Sequence, residues 1–129
     1  MTDTPIILAS ASKSRQMMLT NAGLDFTCQP ADIDEDAIKQ SFLGHSDDVE
    51  PGDLAMLLAM TKANAISESN RSSLVIGADQ LLLFEGEVMS KAPNMEAARD
   101  HLLRFRGKAH VLEGAVCCVR NGETVWSCS

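Results

Sequence analysis

Tyrosine is absent from this chain, tryptophan occurs once, and aromatic residues make up only 4% of it. A core assembled with so few rings has to be aliphatic, drawn from Leu, Ile, Val, Ala and the seven Met. No apolar run approaches the ~20 residues of a membrane-spanning helix. Positive charge is in the minority, with 11 Lys and Arg against 18 Asp and Glu and a net charge of −7. A general nucleic-acid binder needs the opposite balance, although one local basic pocket for a small anion remains compatible with it. Cys-x-x-Cys spacing is missing: Cys28, Cys117, Cys118 and Cys128 fit neither a zinc site nor a disulfide framework, and we read them as reduced thiols. The scattered His45, His101 and His110 show no zinc-ligand spacing. The Met1–Pro5 stretch lacks the basic and apolar regions of a signal peptide, so a cytoplasmic location is the expectation.

What is present is ordinary globular composition, 45% apolar and 22% charged over 129 residues. That length suits one domain able to bury about two-thirds of its surface. Repeats, linkers and low-complexity tracts are not seen. Ile6–Ala9 reads as a short buried strand. Ser12–Ala22, capped by Ser12 and stopped by Gly23, reads as a helix. Leu24–Gln29 follows as a strand, then an acidic segment and a short helix ending at Leu43, then a polar, turn-like stretch from Gly44 to Gly52. Asp53–Ser69 is the strongest helix, with Asp53 as its cap. Ser73–Phe84 is apolar and β-branched, interrupted at Gly77-Ala78-Asp79-Gln80. Glu85-Gly86 turns into Glu87–Ser90, Asn94–Phe105 is a helix capped by Asn94, and Asn121-Gly122 joins strands Val111–Arg120 and Glu123–Cys128 in a hairpin. The order predicts an α/β fold with a mixed, twisted sheet flanked by helices. Because Ser129 follows directly on a strand that has only just paired, we expect either a partner to manage the faces of that hairpin or the chain to be incomplete.

Three places concentrate chemistry. Ser10-Ala11-Ser12-Lys13-Ser14-Arg15 joins a buried strand to a helix N-terminus, where hydroxyls, cations and free N–H groups can hold an anion. The segment is not a P-loop, lacking Gly-x-x-x-x-Gly-Lys-Ser/Thr; by itself it reads first as a plain cap with solvated cations. Lys62 lies on one helix face with Leu54, Leu58 and Ile66, so it either extends to water along the core edge or meets an anion. Asp79 sits between Leu74-Val75-Ile76 and Leu81-Leu82-Leu83. A carboxylate there is costly unless paired, hydrogen-bonded or metal-bound, the alternative being a turn between two shorter strands; Gly77 before it permits a bulge or a close backbone approach. The cluster Asp32, Asp34, Glu35 and Asp36 could offer oxygen to Mg²⁺ or simply be solvated. Lys91 and Gly107-Lys108-Ala109-His110 read by themselves as exposed loop residues. The cysteines have no partner signature for thiol catalysis.

Taken in order, Ile7–Arg15, Asp32–Glu35, Leu54-Ala55 through Lys62-Ala63, Ile76–Gln80, Lys91 with Pro93, and Gly107 with His110 resemble the Maf family of nucleoside triphosphate pyrophosphatases, known also for septum formation inhibition. The resemblance covers nearly the whole chain. It implies a two-lobed fold of the Maf/ITPase kind with a cleft, a homodimer, and Mg²⁺-dependent hydrolysis of a nucleoside triphosphate between its α and β phosphates, with Mn²⁺ or another divalent ion as a substitute. By position it implies Asp79 as general base and metal ligand, Glu35 as a second metal ligand, and Ser10, Ser12, Arg15, Lys62 and Lys91 as phosphate-holding residues. Ser14 and Gln80 fall where the family tunes base specificity. Many members carry Arg where Ser14 stands, and the Asp-Gln pair points to 7-methyl-GTP where Asp-Thr would point to dTTP or UTP. Gly114 stands where Thr or Ser is usual. The family also continues beyond Ser129, so residues 1–129 are expected to be the N-terminal two-thirds of one Maf-like domain. That leaves open a non-catalytic nucleotide-binding or cell-division regulator, and an unrelated phosphate-binding α/β domain is the third reading.

Overall fold

The computed structural model describes residues 4–43, 50–89 and 92–129. The elements run β1 (Ile6–Leu8), α1 (Lys13–Asn21), β2 (Thr27–Cys28), α2 (Glu35–Leu43), α3 (Pro51–Ser67), β3 (Leu74–Phe84), β4 (Glu87–Met89), α4 (Met95–Phe105), β5 (Val111–Arg120) and β6 (Glu123–Cys128). Six strands form one mixed sheet in the order β2-β1-β3-β5-β6, with β4 also paired to β3. The α/β class with a helix-flanked mixed sheet is therefore as expected.

β3 is the axis. Along one edge it pairs antiparallel with β5 over Leu74–Leu83. Along the other it pairs in parallel with β1 at Leu74–Ile76 and antiparallel with β4 at Leu82–Phe84. Among the described residues no strand occupies that second edge between Gly77 and Leu81. The chain departs from β1 toward α1 and from β4 toward α4, so the two sides of this gap carry different helices.

Both hairpins have two-residue turns of the primed kind, with positive φ at Glu85 and Gly86 and at Asn121 and Gly122. The chain's local rules explain other boundaries too. Ser12 Oγ caps α1 by accepting from Arg15 N at 3.3 Å, and Asn94 Oδ1 caps α4 by accepting from Ala97 N at 2.8 Å.

The core lies between α3 and the sheet. Leu54, Ala55, Leu58, Ala59 and Ala63 of α3 are fully buried against Val75, Leu81, Ala115, Cys117 and Val119. Burying Leu54 and Leu58 contributes about 2–3 kcal/mol each. The small residues set the distance: a Cβ on Gly77 would run into the Ala59 carbonyl oxygen and lie 2.8 Å from Ala63 Cβ. Glycine at 77 serves close helix–strand approach, without a bulge. At its far end α3 is tied to the hairpin turn, where Gly122 N donates to buried Ser67 Oγ at 3.0 Å.

Three expectations change. β3 is one continuous strand through Gly77–Gln80, because Asp79 finds a cationic partner on α3. α3 begins at Pro51 with Glu50 at the cap position, since proline at the first helical position needs no N–H partner; Asp53 lies inside the first turn. The expected strand at Leu24–Gln29 shrinks to Thr27–Cys28, the two residues in register with β1 at Ile7 and Leu8, before Pro30 ends the run. The polar stretch expected from Gly44 falls largely outside the described residues.

Candidate active site

Strand alternation places Val75, Gly77, Asp79 and Leu81 on the face of β3 that α3 covers. The residues directly opposite them on β5 confirm this: Ala115 pairs with Asp79, Cys117 with Gly77 and Val119 with Val75, and all three are buried. Asp79 therefore points toward α3 at the middle of the unpaired stretch of edge. Four residues on from Leu58, α3 presents Lys62.

Lys62 Nζ donates to Asp79 Oδ1 at 3.1 Å and lies 2.7 Å from Glu35 Oε1, at the first residue of α2. The side chains of Lys62 and Asp79 are only 11% and 10% exposed, while that of Glu35 is 40% exposed. The ammonium thus meets anions, and the anions are carboxylates. Asp79 Oδ2 is buried without a hydrogen-bond partner. An unsatisfied buried carboxylate oxygen costs about 1–3 kcal/mol or more, which identifies it as an atom held ready for a donor.

The β1–α1 corner forms the adjoining wall. Ser10 Oγ accepts from Ser12 N at 3.0 Å and from Arg15 Nη1 at 3.5 Å. This bends the backbone into the helix N-terminus and holds Arg15 over it, the arrangement that favours an anion. Gln29 N donates to Leu8 O at 3.0 Å and Ala9 N to Ile76 O at 2.9 Å, so the corner is fixed to both neighbouring strands.

These walls enclose a cavity of about 540 Å³ lined in part by Ser12, Arg15, Glu35, Lys62, Asp79 and Gln80. A smaller one of about 140 Å³ touches Ser10, Glu35 and Lys62. Of the residues singled out from sequence, Ser10, Ser12, Arg15, Glu35, Lys62, Asp79 and Gln80 come together here. Ser14 is exposed on α1 and is not among the lining residues. Lys91 lies outside the described residues. Sequence reasoning missed Lys39, Leu82, Met89 and His101, which also line the larger cavity. Lys39 follows Glu35 by four residues on α2, a spacing that could have flagged it. His101 is brought in by α4, where it packs on Phe105 with ring centroids 6.1 Å apart, and nothing in its local sequence signals that.

Among the described residues no group of three or more His, Cys, Asp or Glu side chains comes together. Two carboxylates do, through Lys62. Such an oxygen pair, with one oxygen unpartnered, suits a hard divalent cation that takes its remaining ligands from phosphate and water.

An α/β sheet with a helix N-terminus and a carboxylate pair opening into one cleft is an arrangement that can receive an anion together with a divalent cation. The Maf-like protein family model matches residues 5–129, and the chain belongs to that family. It is 46% identical over 121 residues to the nucleoside triphosphate pyrophosphatase of Granulibacter bethesdensis, covering 94% of this chain and 60% of that protein. It is 45% identical over 121 residues to the 7-methyl-GTP pyrophosphatase of Mesorhizobium japonicum, with the same coverage. It is 42% identical over 121 residues to the protein of that name from Brucella suis biovar 1, again covering 94% of this chain and 60% of the relative. The chain thus spans about 60% of the length of these curated relatives.

Proposed function

We propose that this chain carries the catalytic cleft of a Mg²⁺-dependent nucleoside triphosphate pyrophosphatase, within a single Maf-like domain, releasing a nucleoside monophosphate and pyrophosphate. The observation that carries the reading is Asp79, its Oδ2 buried and unpartnered at the middle of the strand gap, in a cavity that Arg15 and Lys62 also line. The names of the relatives support the reaction class. Family membership supports Mg²⁺, and Glu35 and Asp79 are the residues that would hold it. When bound, the ion supplies charge neutralisation at the phosphate oxygens and acidifies water.

The chain's own residues do the rest. Arg15 and the α1 N-terminus hold phosphate oxygens, with Ser10 and Ser12 shaping the corner. Phosphoryl transfer depends mainly on such positioning and on charge. Asp79 Oδ2 accepts a proton from the attacking water. Gln80 follows Asp79 and lines the cavity, and it supports a methylated guanine nucleotide as substrate. The homodimer and cytoplasmic setting implied by family resemblance belong to the same proposal; sedimentation of the purified chain tests the first.

The test is pyrophosphate release over a panel of 7-methyl-GTP, GTP, dTTP and UTP. Asp79→Asn should lower turnover by about 10²–10⁴, the contribution of a positioned general base, with the fold retained by circular dichroism. No release from any member of the panel, by this chain or by a version as long as its relatives, would sink the proposal. Triphosphate binding without release would instead favour the non-catalytic nucleotide-binding reading.

A further inference from the structure

We infer that Lys62 is a resident stand-in for the divalent cation: its ammonium holds Glu35 and Asp79 together in the substrate-free protein and gives way when the metal arrives. The inference rests on the reading that these two carboxylates take a divalent ion, and it assigns Lys62 a role apart from direct phosphate contact.

The geometry supplies the reason. Nζ lies 2.7 Å from Glu35 Oε1 and 3.1 Å from Asp79 Oδ1, which places one ammonium between two carboxylates that start 44 residues apart in sequence, 79 − 35. Two carboxylates brought this close repel each other unless a cation lies between them. Lys62 supplies one positive charge against two negative ones, so the cluster keeps a net charge of −1. Asp79 Oδ2 has no partner, although the Asp79 side chain is nine-tenths buried. A divalent ion would balance both charges through Glu35 Oε1 and Asp79 Oδ1, the oxygens that the lysine vacates, and would leave Oδ2 free to accept a proton. The lysine is also built to leave. Its stem lies on α3 among Leu54, Leu58 and Ile66, and its long unbranched chain can carry Nζ away without moving the helix. Glu35 is the more exposed partner and opens onto both cavities. The freed ammonium enters the cavity that Arg15 and Lys39 line, where a triphosphate offers acceptors.

Lysine and metal therefore compete for one pair of carboxylates. The experiment uses Mn²⁺ as the probe on the purified chain without nucleotide. Free Mn²⁺ is followed by electron paramagnetic resonance in wild type, Lys62→Met and Lys62→Arg. Lys62→Met should bind Mn²⁺ about tenfold tighter, the scale of the two ion pairs to Glu35 and Asp79 that no longer have to be broken, and Lys62→Arg should stay near wild type. Unchanged or weaker binding by a folded Lys62→Met overturns the inference. A second measurement needs no variant: brief acetylation of wild type with peptide-resolved mass spectrometry, using exposed Lys13 as the internal reference. Mn²⁺ should raise the labelling of Lys62 relative to Lys13, and unchanged or reduced labelling overturns the idea. If Lys62→Met fails to fold, this measurement decides. Pyrophosphate release assayed in the same preparations separates the two claims. Turnover with unaltered Lys62 labelling removes the stand-in and leaves the function; a Mn²⁺ response without turnover on any triphosphate does the reverse.

Discussion

Cys117 shows how burial can dominate the chemistry of a side chain. It is fully buried on β5, and burial pushes its thiol above the ordinary range, with a Gly77 backbone hydrogen bond acting in the lowering direction and neighbouring Cys118 adding to the rise. Half-buried Cys118 is raised for the same first reason. The sign of the linkage follows. The unfolded chain gives up these protons first, so the stability tied to them is intact below the ordinary thiol value and drains away as pH climbs through the folded one. Urea midpoints should therefore fall above about pH 8.5, and a Cys117→Ser, Cys118→Ser double variant should lose much of that dependence. In the native protein exposed Cys128 should react first with a thiol reagent and Cys117 last.

At the scale of elements, the approach of α3 to β3 decides most. Gly77→Ala would place a methyl group against the Ala59 backbone, where no side chain can move aside. The expected cost is about 1–3 kcal/mol by urea denaturation, with a larger loss of activity than of stability because Lys62 and Asp79 sit on the two surfaces being pushed apart. The parts of the fold that were legible beforehand are those whose causes are local. Asn121-Gly122 with alternating flanks marked β5 and β6, and Asn94 and Ser12 marked their helix starts. Apart from the start of α3, where Pro51 decides locally, the failures have non-local causes. A carboxylate among leucines looked like a break in β3 until a lysine 17 residues earlier, on another element, met its charge. β2 is short because its partner β1 is only three residues long and offers register positions to Thr27 and Cys28 alone. The site divides in the same way. Ser10, Ser12, Arg15, Glu35, Lys62, Asp79 and Gln80 of the ordered motifs line the two cavities, Ser14 does not and Lys91 lies outside the described residues, whereas Leu82, Met89 and His101 join through packing that no short window of sequence records.

For the whole molecule, charge has two ranges. Far away an anion such as a triphosphate meets a chain of net charge −7, and inside the cleft it meets Arg15, Lys39 and Lys62 against Glu35 and Asp79, a local balance of 3 − 2 = +1. At about 0.01 M salt the screening length is about 30 Å and the acidic whole dominates; at about 0.15 M it is about 8 Å and only the cleft is felt. Association of a triphosphate, followed by stopped flow, should thus speed up several-fold as salt rises over that range, opposite to the behaviour of an enzyme with a basic exterior. A rate that falls steadily with salt would contradict this picture.

The unpaired stretch of β3 has one more consequence. The wall bearing Arg15 and the wall bearing His101 are both anchored to this strand, at Leu74–Ile76 through β1 and at Leu82–Phe84 through β4. The five residues between them, Gly77–Leu81, set how far apart the two walls stand. Strands twist by nature, and the twist that β3 takes over those residues, fixed by their pairing with β5, is therefore also the angle between the two walls of the cleft.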